Sequence, residues 1–111
     1  MLGPCKVSEI RQLTVVVRHG HSKKRAVSLL TTAYEQCREW QALVKEYAWN
    51  EEGNIVLFIL VRDGQRCSGS VRIGTGHVVY QLNELPFRYL PAKSFIEAEV
   101  ERQLEKILKE R

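Results

Sequence analysis

Residues 54–73 read Asn54-Ile55-Val56-Leu57-Phe58-Ile59-Leu60-Val61-Arg62-Asp63-Gly64-Gln65-Arg66-Cys67-Ser68-Gly69-Ser70-Val71-Arg72-Ile73, and this stretch decides the fold. Asp63-Gly64-Gln65 is a turn cluster set between two short segments rich in Val, Ile and Phe, the signature of a hairpin. Asn50-Glu51-Glu52-Gly53-Asn54 before it and Gly74-Thr75-Gly76 after it are turn clusters of the same kind. Strands are therefore predicted near 43–49, 54–62, 66–73 and 77–84. Connections this short permit antiparallel neighbours and exclude parallel crossovers, so the four strands form a meander.

Upstream, the β-branched run Leu13-Thr14-Val15-Val16-Val17 predicts a first strand over 12–18, broken soon after by Gly20, with residues 1–10 as an N-terminal arm. From Ser22, a plausible N-cap, the period changes. Ala26, Leu29, Leu30, Ala33, Cys37 and Trp40 recur at spacings of three and four, as one buried helix face requires. No Gly or Pro falls between His21 and Gly53, and the change from helix to strand is placed near Gln41 to Val44. Downstream, Pro86 and Pro91 bracket an irregular link. Ser94, with Glu97 three residues on, then reads as the capping box of a terminal helix whose apolar face is Ile96, Val100, Leu104, Ile107 and Leu108. The order β-α-β-β-β-β-α predicts an α+β fold, a curved antiparallel sheet with both helices on one face and the first strand at the meander's far edge.

The chain has 111 residues, 44% hydrophobic and 27% charged, and this size and composition predict a single domain over 1–111. The longest apolar run, Ile55 to Val61, is far short of the about 20 residues a helical span needs, and no stretch resembles a signal peptide. A cytoplasmic protein without a transmembrane segment is expected. Cys5, Cys37 and Cys67 are odd in number and widely spaced, so they predict neither a disulfide framework nor a zinc knuckle. Cys37, on the helix's apolar face, is expected to be buried.

The strand ending at His19, the helix opening at Ala26 and the Trp49-turn-strand segment form one pattern with three later features. These are Ser68-Gly69-Ser70-Val71-Arg72-Ile73, the Leu85-Pro86-Phe87 link and the terminal run Phe95-Ile96-Glu97-Ala98-Glu99-Val100-Glu101. That pattern resembles the polyhydroxyalkanoic acid system proteins, a small bacterial family associated with granules of storage polyester, over about His19 to Leu108. The resemblance contains no catalytic signature. It implies a non-enzymatic, granule-associated accessory role. By fold analogy alone, the element order is also similar to a reduced helix-grip ligand-binding fold, which would act as a carrier of a small molecule or lipid. Its pocket would lie between sheet and terminal helix, lined by Phe87, Tyr89, Phe95 and sheet aromatics such as Tyr80.

Two groups of residues are candidate sites. Arg18, His19, His21, Lys23, Lys24 and Arg25 crowd the loop into the first helix, where an anion or anionic partner would relieve their repulsion with the helix dipole. On the overall charge of +4, that loop is the place for such contact, although a solvated basic loop is the simpler reading. Nucleic acid is set aside because no aromatics interleave with the cations. His19 and His21, even with His77, lack a matched carboxylate or cysteine, so no metal is predicted, and no cofactor. The second group comes from alternation along 55–61. Val56, Phe58 and Leu60 share one face; with the helices on the other, that face is expected to be open and to contact a second copy as a homodimer, a polyester granule or an apolar ligand.

Overall fold

The computed structural model describes residues 11–109, so the arm at 1–10, with Cys5, lies outside the described residues. The elements run β1 (Leu13–Arg18), α1 (Lys23–Gln36), α2 (Arg38–Leu43), β2 (Val44–Trp49), β3 (Ile55–Arg62), β4 (Gln65–Ile73), β5 (His77–Leu82), a 3₁₀ helix (Phe87–Ala92) and α3 (Lys93–Lys109). The five strands form one antiparallel sheet in the order β1-β5-β4-β3-β2. The chain thus has the expected α+β architecture, with β1 joining the meander beside β5.

The register between β3 and β4 is set by a two-residue turn. Arg62 pairs with Gln65, and Asp63 and Gly64 both take positive φ, 52° and 77°, the backbone of a type I′ hairpin whose twist matches the flanking strands. From that turn the pairing runs out without a bulge to Phe58 opposite Gly69 and Ile55 opposite Arg72. Ser68, Ser70 and Arg72 therefore share a face with Ile59, Leu57 and Ile55. Cys67, Gly69, Val71 and Ile73 share the other with Phe58.

This register reverses the expected orientation of β3. Phe58 is 8% exposed and Leu57 61% exposed, so Val56, Phe58 and Leu60 point toward the helices and Ile55, Leu57, Ile59 and Val61 point away. The alternation of β3 is apolar on both faces and so cannot choose between them. The polar serines and arginine of β4, brought alongside by the hairpin, make the choice.

The core lies between the concave sheet face and the helices. Leu13, Val15 and Val17 from β1 and Val78 and Leu82 from β5 meet Ala26 and Leu30 of α1 and Leu104 and Leu108 of α3. α3 packs most extensively across β1. Ser22 caps α1 as expected, its hydroxyl accepting from the Arg25 amide at 3.2 Å. The first helix breaks at Cys37, which is extended (φ −109°, ψ 101°), before the short α2. Neither Gly nor Pro is needed there, because the Gln41 side-chain amide donates to the Tyr34 and Glu35 carbonyls at 2.9 and 2.8 Å. Cys37 consequently sits half-buried at a bend, not buried on a helix face as expected.

The capping box at Ser94 is also not formed. The 3₁₀ helix runs straight into α3, and the Lys93 amide already donates to the Leu90 carbonyl. With the preceding turn supplying acceptors, Ser94 lies inside the helix. Ser22→Ala should lower stability by about 1 kcal/mol through loss of its cap, while Ser94→Ala should change it by less than about 0.5 kcal/mol. Paired urea denaturation curves would check the contrast, and a larger loss at Ser94 would contradict the continuous 3₁₀-to-α3 helix.

Candidate functional site: an apolar groove under the helices

The helices do not cover the whole concave face. α3 lies over the β1 and β5 side, so toward β3 and β2 the inward residues line an open groove of about 610 Å³. Leu30 and Tyr34 of α1, Trp40 of α2, and Ile96 and Val100 of α3 form its walls. Val56, Phe58 and Leu60 lie on its floor with Tyr80, Val71 and Cys67.

Exposure grades along the floor. Leu82 on β5 is 4% exposed and Phe58 on β3 is 8%, whereas Trp49 and Tyr47 on β2 are 38% and 55% exposed. The groove is thus closed beneath α3 and open at the β2 edge. Aromatic rings gather at that mouth, where Tyr34 and Tyr47 meet edge to face with centroids 5.7 Å apart. Phe95, 73% exposed, stands on the groove's wall at the start of α3. At another point of the wall, the Tyr89 hydroxyl donates to Asp63 Oδ2 at 2.9 Å and ties the 3₁₀ helix to the β3–β4 turn.

Two floor residues have shifted acidities. Burial pushes the Tyr80 phenol well above its usual range, with the Cys67 thiol adding to the effect. Burial likewise raises the Cys67 thiol. Burial keeps both protonated at physiological pH, and the smaller effects of Glu84 and Arg11 on the Cys67 thiol do not reverse it.

The basic loop is organised by backbone contacts. His21 N–H donates to His19 Nδ1 at 3.0 Å, which assigns the proton of His19 to Nε2, facing the Gly74 carbonyl at 3.0 Å. His21 Nε2 meets the Leu108 carbonyl at 2.6 Å, tying the loop to the end of α3, and the two rings stack 5.7 Å apart. Lys23 lies 4.0 Å from Glu52. Arg18, Lys24 and Arg25 are exposed. The structure thus uses both histidines as struts between β1, the β4–β5 turn and α3. Among the described residues no group of three His, Cys, Asp or Glu side chains is placed to hold a metal.

Of the four residues assigned to a pocket between sheet and terminal helix, Tyr80, Tyr89 and Phe95 line the groove. Phe87 does not: the Arg11 guanidinium covers its ring at 4.2 Å, on the other side of the link. Tyr47 and Trp49 join Tyr80 as the sheet aromatics of the lining, whereas the helix residues Tyr34 and Trp40 were not expected there. Cross-strand alternation from the β2–β3 pairing, Tyr47 opposite Phe58 and Trp49 opposite Val56, places the two β2 aromatics on the floor's face.

No family model and no curated protein matches the chain. Among solved structures it is similar to the crystal structure of TTHA0849 from Thermus thermophilus, at 12% identity over 88% of this chain and 92% of that one, with a TM-score of 0.38. No helix among the described residues is long and apolar enough to cross a membrane.

The two described thiols should differ in reactivity. Cys37 is half-exposed at the α1–α2 bend, while Cys67 is 8% exposed with its thiol kept protonated by burial. Peptide mapping after brief alkylation of the folded protein should find Cys37 modified well before Cys67. The reverse order would mean that the groove floor is open to reagents.

Proposed function

We propose that the chain is a non-enzymatic binding protein that holds a mainly apolar small molecule or lipid in the groove between sheet and helices. The observation that carries this reading is the inward face of β3 and β2, which is apolar and aromatic yet left uncovered over a groove of about 610 Å³. That volume is typical of a small-molecule site. A domain of this size has little stability to spare, and exposed aromatic surface such as Trp49 and Tyr47 forgoes burial worth roughly 1.5–3 kcal/mol for a large apolar side chain. An apolar occupant restores that burial. The mouth at the β2 edge provides entry without unfolding the sheet, and the closed end beneath α3 shields the inserted part from water.

Both tryptophans of the protein, Trp40 and Trp49, line the groove, so intrinsic fluorescence reports on it directly. Titration with the neutral dye Nile red should raise dye emission, quench the tryptophans and increase the thermal midpoint, since a ligand that binds only the native state stabilises it by mass action. Val56→Arg, on the floor beside Trp49, should abolish the dye response while leaving the circular dichroism spectrum intact. Equal responses of wild type and variant would place the dye elsewhere and defeat the proposal.

A second reading is favoured by the convex face. Ile55, Leu57, Ile59 and Val61 form an apolar ridge there, with Leu57 61% exposed. Contact with an apolar surface such as a polyester granule, or with a second copy, would use this ridge and not the Val56, Phe58 and Leu60 face first assigned to it. Leu57→Lys should then weaken adsorption to polyhydroxybutyrate particles, or dissociate a dimer in light scattering, with Nile red binding retained. Unchanged adsorption and mass would remove this reading.

A further inference from the structure

The groove's closed end carries one polar group with no hydrogen-bond partner among the described residues. Tyr80 projects from β5 into the floor, its ring tilted against Phe58 with centroids 5.7 Å apart. Its hydroxyl makes no hydrogen bond to any described residue. No side-chain polar atom among the described residues is both sealed from solvent and unpartnered, so this hydroxyl is reached from the groove. Its neighbours there, Phe58, Val71 and Leu82, are apolar, and the Cys67 thiol is turned to the Ser68 carbonyl at 3.6 Å. A hydroxyl in such surroundings is costly to leave without a partner once water is displaced.

The charges around the groove narrow the choice of partner. Three carboxylates, Glu35, Glu39 and Glu99, line it against a single guanidinium, Arg62, although the whole chain carries +4. Glu99 is engaged by Arg102 and Gln103, and Arg62 lies 3.9 Å from Asp63 with most of its side chain exposed. No cation lines the closed end; Arg11, which acts on Cys67 from behind the lining, is engaged by the Leu85 carbonyl at 3.0 Å and the Phe87 ring at 4.2 Å, and the lining carboxylates repel anions. A carboxylate or phosphate entering beside Tyr80 would be desolvated without a counter-charge. A carbonyl oxygen needs only one donor, which the phenol supplies.

We infer that the groove takes an uncharged, mainly apolar molecule bearing one hydrogen-bond-accepting carbonyl, with that oxygen meeting the Tyr80 hydroxyl and the apolar body reaching to the aromatic mouth. This rests on the groove being the binding site. It adds the chemical class of ligand and a specificity-determining residue.

Three naphthalenes of similar shape test it on the full chain by ligand-detected NMR: 2-acetylnaphthalene, 2-isopropenylnaphthalene, in which a methylene replaces the carbonyl oxygen, and 2-naphthoate. Wild type should bind the ketone about three- to tenfold more tightly than the alkene, the worth of one neutral hydrogen bond, and the carboxylate most weakly. Tyr80→Phe should abolish the ketone's advantage and leave alkene binding unchanged. Should that variant fold poorly, the carbonyl carbon of ¹³C-labelled ketone bound to wild type should move downfield of its position in an aprotic solvent, as hydrogen bonding requires. Equal affinity for ketone and alkene, an unshifted carbonyl, equal loss of both ligands in Tyr80→Phe, or preference for naphthoate would each overturn the inference. If Nile red still binds in any of those cases, the groove reading survives. If Nile red and all three naphthalenes fail to bind, or concentration-dependent association shows a second copy filling the groove, both fall together.

Discussion

The ring of Phe58 lies over Gly69 on the neighbouring strand, and much of the molecule depends on that contact. A Cβ at position 69 would come within 2.7 Å of the Phe58 ring and 2.6 Å of the Gln81 carbonyl oxygen. Only a residue without a side chain allows the ring to lie down across β4 and reach Tyr80 on β5. Three adjacent strands are thereby joined on their concave face by one aromatic pair and one glycine. The same arrangement keeps the floor low. A side chain on β4 at this point would lift the Phe58 ring into the space between sheet and helices, and the groove would be correspondingly shallower.

The groove then follows from unequal coverage. α3 buries its face over β1 and α1 packs on α3 and β4, and on this side of the sheet Leu13, Val15, Val17 and Val78 are almost wholly inaccessible. β2 lies at the opposite edge of the sheet, and the chain reaches it only through the short α2 after a bend at Cys37. Its inward aromatics are consequently left to line a mouth. Packing and openness are two results of one distribution of helices over a sheet wider than they can cover. The basic loop serves this distribution too, since the His21 contact with the Leu108 carbonyl holds the end of α3 against the β1–α1 connection.

The proposed binding role draws on the chemistry of the groove. Burial holds the Tyr80 phenol and the Cys67 thiol protonated on its floor, and Glu35, Glu39 and Glu99 are among the residues that line it. What the groove offers is area, rigid aromatic walls and one aimed hydroxyl. Those attributes support the proposed container role.

Much of this was legible in the residues alone. The Asp63-Gly64 turn, the β-branched runs and the helical spacing from Ala26 determined five antiparallel strands and two helical regions, because turn chemistry and periodicity are local properties. Four points could not be read from periodicity and turn chemistry. Which face of β3 turns inward could not be read from a strand apolar on both faces; it depends on the polar alternation of β4 and on the register that the hairpin imposes between them. The Ser94 cap failed because the 3₁₀ helix before it already supplied the acceptors. Cys37 left the buried face because the Gln41 side chain, one turn further on, satisfied the carbonyls at a break, which periodicity alone does not show. The groove itself exists only in three dimensions, since its walls come from residues spread between Leu30 and Leu104, and no spacing along the chain shows that two helices leave part of a sheet uncovered.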